Sequence, residues 1–497
     1  MCTLTFEKSS PEAVGIPGDS VIRFTERLEA RRIPMHSLLL MRHDRLFFEG
    51  YYAPCDAGTM HRMFSVSKSL TAIAVGLLAE EGKLSLDDPI ISHFPEKLPD
   101  QVHPWIAAMT IRDMLMMRSC HAATTYKLNM KADWVESYFI TPPTHPAGTL
   151  FHYDTSAPHT LCALVEKITG LPMLDYLKKK LAPLGLSEQS YMIKDPFGVS
   201  MGGSGLVALS TDLLKFGYFI AHRGKVLGQQ LLSASFIDMA VSHLSDTCVT
   251  APVPSEAIGY GMQFWRGSHN GYTCYGMGGQ LIIFLPDYDL ICVTTADTQD
   301  VQGGNQQIYD ALYEEILPHI RDYTLPADPK SSLLLRKTAS SLRLTPLQGP
   351  VVSDTADRIG GKTFRIRSGE SADAASGFES FSVCFGQTDD GQDFGTLSFL
   401  YRGKPYAVRF GLGSLQTGSF PIYDLFYAAS AAWLGDGTLY IRAYIIDSYV
   451  GSVHFQLSFG QDDLTVFMRK KEESLFQEFN GHLYGTIAPD DAICAEA

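Results

Sequence analysis

Met63-Phe64-Ser65-Val66-Ser67-Lys68-Ser69-Leu70-Thr71 opens a run rich in Ala and Leu that continues to Glu81 and is closed by Gly82, the pattern of a helix over 67–81. Ser65 and Lys68 form the one Ser-x-x-Lys in the chain. If Ser65 opens the helix, a spacing of three puts Lys68 one turn on, on the same face. An amine there can take or share the Ser65 proton once burial and the positive helix N-terminus lower its pKa. Ser65 would then be an activated nucleophile for acyl transfer. Taken alone, the pair also suits an ordinary solvated helix start, so its weight depends on what surrounds it.

Working outward, residues 20–31 place apolar side chains at helical spacing behind Ser20 as a candidate N-cap. Residues 37–52 read as a hairpin turning at Arg42–Arg45, and 280–285 and 290–295 as a second one turning at 286–289. Helices fit 111–117, 157–169, 172–181, 211–222 and 306–320. An antiparallel sheet built from both ends of one domain, with helical material inserted between, follows from this order. Residues 325–332 (Leu-Pro-Ala-Asp-Pro-Lys-Ser-Ser) read as a linker. Beyond it Val453–Phe459 alternates strictly, and similar strands fit 381–386, 396–401, 405–411, 438–446 and 464–468. The expected division is 1–325, a linker at 326–334, and 335–497 as an antiparallel β-domain, a barrel or a curved sheet.

The whole chain has 497 residues, 45% hydrophobic and 19% charged, which is a globular profile and argues against disorder or a coiled coil. Its 40 basic and 54 acidic residues give a net charge of −14, a poor start for binding polyanions, so no nucleic-acid partner is expected. The nine cysteines are odd in number and scattered, with no Cys-x-x-Cys, which argues against a disulfide framework or zinc site and for a reducing compartment. The first 30 residues lack a signal-peptide core, and the apolar stretch 70–79 is too short to span a bilayer. The expectation is a cytoplasmic protein without membrane contact, with a homo-oligomer left open. Among fifteen His there is no His-Glu-x-x-His and no tight cluster, so neither metal nor cofactor is expected.

Several further motifs follow in order. They are Glu80-Glu81-Gly82-Lys83-Leu84-Ser85-Leu86-Asp87-Asp88-Pro89, Thr110-Ile111-Arg112-Asp113-Met114-Leu115, Pro146-Ala147-Gly148-Thr149-Leu150-Phe151-His152-Tyr153-Asp154-Thr155-Ser156, Gly202-Gly203-Ser204-Gly205-Leu206, Tyr260-Gly261-Met262-Gln263-Phe264-Trp265 and Gly276-Met277-Gly278-Gly279-Gln280. With Ser65/Lys68 this set resembles the serine β-lactamase-like hydrolases over about residues 8–325. It is most similar to the class C β-lactamase-related branch, which also holds esterases, D-aminopeptidases and 6-aminohexanoate-dimer hydrolase. The resemblance implies an α+β fold, an antiparallel sheet flanked by helices with a helical subdomain. It implies Ser65 as the acylated nucleophile, Lys68 as its proton partner, and Tyr153 as base with the lysine and then as acid toward the leaving group. It also implies an oxyanion hole from the backbone N–H of Ser65 and one near Met277, with Thr155, Gly278 and Gln280 toward the substrate.

Two departures from the family pattern matter. Thr155 stands where the Tyr-x-Asn motif has Asn, and no cation stands at Tyr275–Gln280 where the family has Lys-Thr-Gly or His-x-Gly. The missing cation favours a neutral ester or amide of a small molecule or short peptide over a carboxylate-bearing β-lactam. β-Lactamase or D,D-peptidase activity, or a non-catalytic penicillin-binding-like sensor, are the alternatives. Gly198-Val199-Ser200-Met201-Gly202 matches the nucleophile elbow of α/β-hydrolases, but Pro196 before it and a Gly-rich loop after it deny it the strand and helix that motif needs.

Overall fold

Leu38–Met41, Leu281–Leu285 and Leu290–Val293 are apolar without polar alternation, the pattern of strands covered on both faces. In the computed structural model, which describes residues 3–367, 375–435 and 437–488, these segments form the centre of a sheet with a separate core on each side. Leu39, Met41, Ile282, Phe284, Ile291 and Val293 point into one core. Leu38, Leu40, Leu281, Ile283, Leu285, Leu290 and Cys292 point into the other, with the period of two that a pleated strand imposes.

The chain divides into two units between Arg343 and Leu344. In the first, the elements that build the sheet and the site are β1 (Glu7–Lys8), α1 (Gly18–Ala30), β2 (Met35–Arg42), β3 (Arg45–Tyr51), β4 (His61–Phe64), α2 (Val66–Glu80), α3 (Ser156–Thr169), β5 (Tyr191–Met192), β6 (Leu206–Ala208), α4 (Ser210–Ala221), β7 (Gly259–Tyr260), β8 (Trp265–Arg266), β9 (Tyr272–Gly276), β10 (Gln280–Leu285), β11 (Leu290–Ala296), α5 (Gln306–Glu315) and α6 (Pro329–Ser341). The sheet runs β1-β3-β2-β11-β10-β9-β8-β7, antiparallel except for the β1–β3 pair. Its central seam joins the two hairpins read from the sequence, pairing Arg42 with Leu290 and Leu38 with Thr294. Helices α1 and α5 cover one face, while α2, α3 and α4 belong to the other core.

The stretch 326–334, expected as a linker, instead carries the start of α6. Pro329 takes the first helical position, and Asp328 caps the helix by accepting from the N–H groups of Lys330 and Ser331. Leu335 buries into the α1 side of the sheet, so residues up to 343 belong to the first unit. The Pro-Ala-Asp-Pro-Lys-Ser-Ser composition that suggests a loop is equally that of a capped helix start.

The second unit contains β12 (Thr363–Ile366), β13 (Phe378–Gln387), β14 (Asp393–Tyr401), β15 (Lys404–Leu412), β16 (Gln416–Phe420), β17 (Leu425–Trp433), β18 (Thr438–Ile446), β19 (Val450–Phe459), β20 (Asp463–Lys471) and β21 (Gly481–Ile487). Their order is β15-β14-β13-β12-β21-β20-β19-β18-β17-β16. A parallel pairing of Gly411 with Ser430 and Leu412 with Ala431 joins β15 to β17 and closes the sheet into a barrel, leaving β16 beside the ring. Closure removes the exposed edges of an open sheet. Its interior is filled by side chains such as Phe381, Phe399, Phe410, Ile441, Phe455 and Phe479.

Seven cysteines, from Cys55 to Cys384, are free thiols; Cys2 and Cys494 lie outside the described residues. Among the described residues no helix is long and apolar enough to cross a membrane.

Candidate active site

The turn from β4 into α2 passes through Phe64 at φ +44°, a left-handed conformation that a bulky residue adopts only at a cost of about 1–2 kcal/mol. This bend lifts Ser65 to the head of α2. Ser67 pins it from within: its hydroxyl donates to the Phe64 carbonyl at 2.6 Å and accepts from the Leu206 N–H at 2.9 Å. Ser69 donates to the Gln263 carbonyl at 2.7 Å. Three hydroxyl-bearing residues at spacing two therefore divide between the half-buried head of the helix and its anchorage.

Lys68 is buried, and its Nζ donates to Ser65 Oγ at 3.0 Å, to the Gly203 carbonyl at 2.7 Å and to Thr155 Oγ1 at 3.3 Å. The ammonium also lies 4.9 Å from the centre of the Tyr153 ring. Gly203 can present its carbonyl there because it has no side chain: a Cβ would stand 2.5 Å from Thr155 Cγ2. The hydroxyl of Thr155, although shorter than an amide, does reach the lysine.

Tyr153 and Thr155 flank Asp154, which is fully buried and points the other way. Its carboxylate accepts from the Ser156 and Ala157 N–H groups at 2.7 and 3.1 Å, satisfying the first turn of α3. Burial pushes its carboxyl up to about 6 against those hydrogen bonds. Replacing Asp154 with Ala should cost about 1–3 kcal/mol, read as a lower midpoint in chemical denaturation, because both buried N–H groups lose their partner. His152 faces His145, with ring centres 5.0 Å apart. The 119–145 segment braces the motif through Thr124, whose hydroxyl accepts from the Thr155 N–H at 3.0 Å.

Tyr153 sits in a wall of aromatic rings. Trp265 lies 5.3 Å away, Tyr260 6.3 Å and Tyr275 6.4 Å, with Phe151, Met117 and Ala251 packed on the same cluster. Burial pushes the Tyr153 phenol well above its ordinary range, while the neighbouring Ser65 hydroxyl and Trp265 indole pull it back. Behind this wall Glu256 is fully buried. One carboxyl oxygen accepts from the Tyr309 hydroxyl at 2.9 Å and the other has no partner. Burial raises its carboxyl to about 8, against the Tyr309 hydrogen bond.

Strand β9 ends against the nucleophile's own chain: a Cβ on Gly276 would stand 2.4 Å from the Met63 carbonyl. Met277, Gly278 and Gly279 make the turn into β10, with Gly278 and Gly279 at φ +80° and +94°. Gln280 is buried, and its side-chain amide is spent inside the protein. Its Nε2 donates to the Met277 and Ala296 carbonyls at 2.7 and 2.9 Å, and its Oε1 accepts from the Ala296 N–H at 3.0 Å. It fixes the Met277–Gly278 peptide and is not turned toward the Lys68 cluster. Ser200 is buried in a tight loop held by Asp195, which accepts from the N–H groups of Phe197 and Val199.

Ser65, Lys68, Tyr153 and Thr155 are thus brought together, and the end of β9 at Gly276 lies against the Met63 carbonyl just before Ser65. Sequence reasoning did not single out Trp265 or Glu256. Trp265 was visible only as the end of a quoted motif, and nothing near Glu256 in sequence distinguishes it from a solvated loop acid.

A model of the beta-lactamase family matches residues 23–313, more than half of the chain. A 6-aminohexanoate-dimer hydrolase of Paenarthrobacter ureafaciens is 23% identical over 291 residues, covering 53% of this chain and 73% of that protein. A Staphylococcus aureus protein named flp is 23% identical over 180 residues, covering 33% of this chain and 36% of its own length. Among solved structures, a Bacillus anthracis protein provisionally assigned as a 6-aminohexanoate-dimer hydrolase superposes with a TM-score of 0.50 at 17% identity, covering 63% of this chain and 86% of that one.

Proposed function

Because this chain belongs to the beta-lactamase family, we propose that it is a serine hydrolase that cleaves an ester or amide of a small molecule or short peptide through an acyl-enzyme on Ser65. Ser65 Oγ bonds to the carbonyl carbon as its proton passes into the Lys68–Tyr153 pair. The pair returns that proton to the leaving oxygen or nitrogen as its bond to the carbonyl carbon breaks. Water then repeats the exchange: it gives a proton to the pair as it attacks, and the pair restores the proton to Ser65 Oγ as the acid departs. The N–H groups of Ser65 and Met277 hold the carbonyl oxygen while it is negative. The observation that carries this reading is the Lys68 ammonium, buried, 3.0 Å from Ser65 Oγ and 4.9 Å from the Tyr153 ring.

The sequence at Tyr275–Gln280 offers no cation for a substrate carboxylate, and the surrounding wall is aromatic. Both features favour a neutral acyl group over a β-lactam or a D,D-peptide. The curated relative is named for hydrolysing a dimer of 6-aminohexanoate, in keeping with an amide as the scissile bond. A fluorophosphonate probe followed by peptide mass spectrometry tests the proposal. The expected adduct is on Ser65 and is absent from Ser65→Ala. An adduct on Ser200 instead would sink it and move the nucleophile to that loop, and no adduct at all would sink it in favour of a non-catalytic ligand sensor.

A further inference from the structure

The indole N–H of Trp265 is buried and makes no formed hydrogen bond. A buried donor left unspent forfeits the hydrogen bond it would make to water, so its retention calls for a reason. The indole is held in place: β8 pairs Trp265 with Tyr260 on one side and Thr273 on the other, and its ring meets those of Tyr153, Tyr260, Phe151 and Tyr275. Of these rings, that of Tyr153 belongs to the Ser65–Lys68 cluster; its centre lies 5.3 Å from the indole, so the unspent donor is buried beside the phenol.

We infer that Trp265 is a donor reserved for the tyrosinate form of Tyr153, idle in the resting enzyme and engaged only when negative charge sits on that oxygen. The inference rests on the hydrolase reading. With Lys68 as ammonium and Tyr153 as phenolate, the phenolate takes the Ser65 proton as Oγ bonds to the carbonyl carbon. The resulting phenol passes that proton to the leaving atom as its bond breaks. A fixed dipole that strengthens only with the charge lowers the cost of the reactive form without stabilising the neutral one. The other groups that set this charge are Lys68 on α2, which favours it, and Glu256, Tyr260 and Tyr275, whose ionised forms would oppose it.

The test places 3,5-difluorotyrosine, whose phenol ionises near neutrality, at position 153 and follows its titration by fluorine NMR. Two partners at position 265 are compared with tryptophan: Trp265→Phe, and β-(3-benzothienyl)alanine, which keeps the indole's shape with sulfur in place of N–H. Loss of the donor should raise the titration midpoint by about one pH unit and lower kcat/KM of the otherwise natural enzyme about tenfold, with an unaltered melting curve for the benzothienyl protein. A midpoint that does not move in the benzothienyl protein overturns the inference, even if Trp265→Phe fails to fold. The fluorine signal needs no turnover, so an unlabelled Ser65 would defeat the hydrolase reading while this measurement still decides the role of Trp265.

Discussion

Lys68→Met should lower kcat/KM for a p-nitrophenyl ester by at least about a thousandfold while the protein stays folded. Methionine has nearly the reach of lysine and fills the same buried space, so the change isolates the charge and the donor. Three acceptors lose their donor at once: Ser65 Oγ, the Gly203 carbonyl and Thr155 Oγ1. Tyr153 loses the cation 4.9 Å from its ring, so its phenolate becomes harder to form as the Ser65 proton loses its destination. Burying a thioether instead of an ammonium relieves a desolvation cost, which keeps the change in stability small. Steady-state kinetics with a melting curve checks this; a loss under tenfold in a folded variant would remove Lys68 from the mechanism.

The second large effect is a pH dependence of stability that Glu256→Gln should erase. The buried Glu256 carboxyl holds its proton up to about 8, whereas in the unfolded chain it ionises in the ordinary carboxylate range. Below that ordinary range both states are protonated and nothing is lost. As pH rises toward 8 the unfolded chain releases a proton that the folded one keeps, so stability falls with pH, and it levels off above. Wild type should lose about 4 kcal/mol more than Glu256→Gln between pH 5 and 9, measured by urea denaturation at each pH. Glutamine still accepts from Tyr309 but cannot ionise. The groups facing this carboxyl are Tyr309 and Tyr313 on α5 and Tyr153 and Tyr275 in the wall, all neutral phenols pushed upward by burial, so none of them masks the effect. Parallel curves for the two proteins would mean that Glu256 is ionised in the native state.

These two residues mark how much was legible beforehand. Ser65 and Lys68 could be read because their chemistry depends on local spacing, one helical turn, and sequence displays local spacing directly. Tyr153 and Thr155 needed the order of motifs, since nothing local brings them to α2. Gln280 was placed at the substrate by the resemblance, yet its amide is consumed bracing Met277 and Ala296, a use that depends on a third strand. Glu256 and Trp265 act through burial, and burial is a property of the packed wall that no short stretch of sequence encodes.

The fold shows the same division. Residues 37–52, 280–285 and 290–295 were legible as two hairpins of one antiparallel sheet, but the covering of both its faces appears only once the helices pack on it. In the second unit strict alternation revealed β19, but β17, Leu-Phe-Tyr-Ala-Ala-Ser-Ala-Ala-Trp, did not look like a strand because alanine has little intrinsic preference for one. It was this strand whose pairing with β15 closes the barrel.

The seam between β2 and β11 has a consequence for biosynthesis. Arg42 pairs with Leu290 and Leu38 with Thr294, so the hydrogen bonds at the middle of the sheet join one of the earliest strands of the domain to its last. While a ribosome is still adding the helices between them, β2 and β3 have no partner along that edge, and the apolar side chains of residues 38–41 have only one neighbouring strand to shelter them. The first unit therefore cannot complete its core until residue 296 has left the exit tunnel. A chain stalled short of that point would expose an unpaired, strongly apolar edge to whatever chaperone or other nascent chain is nearby.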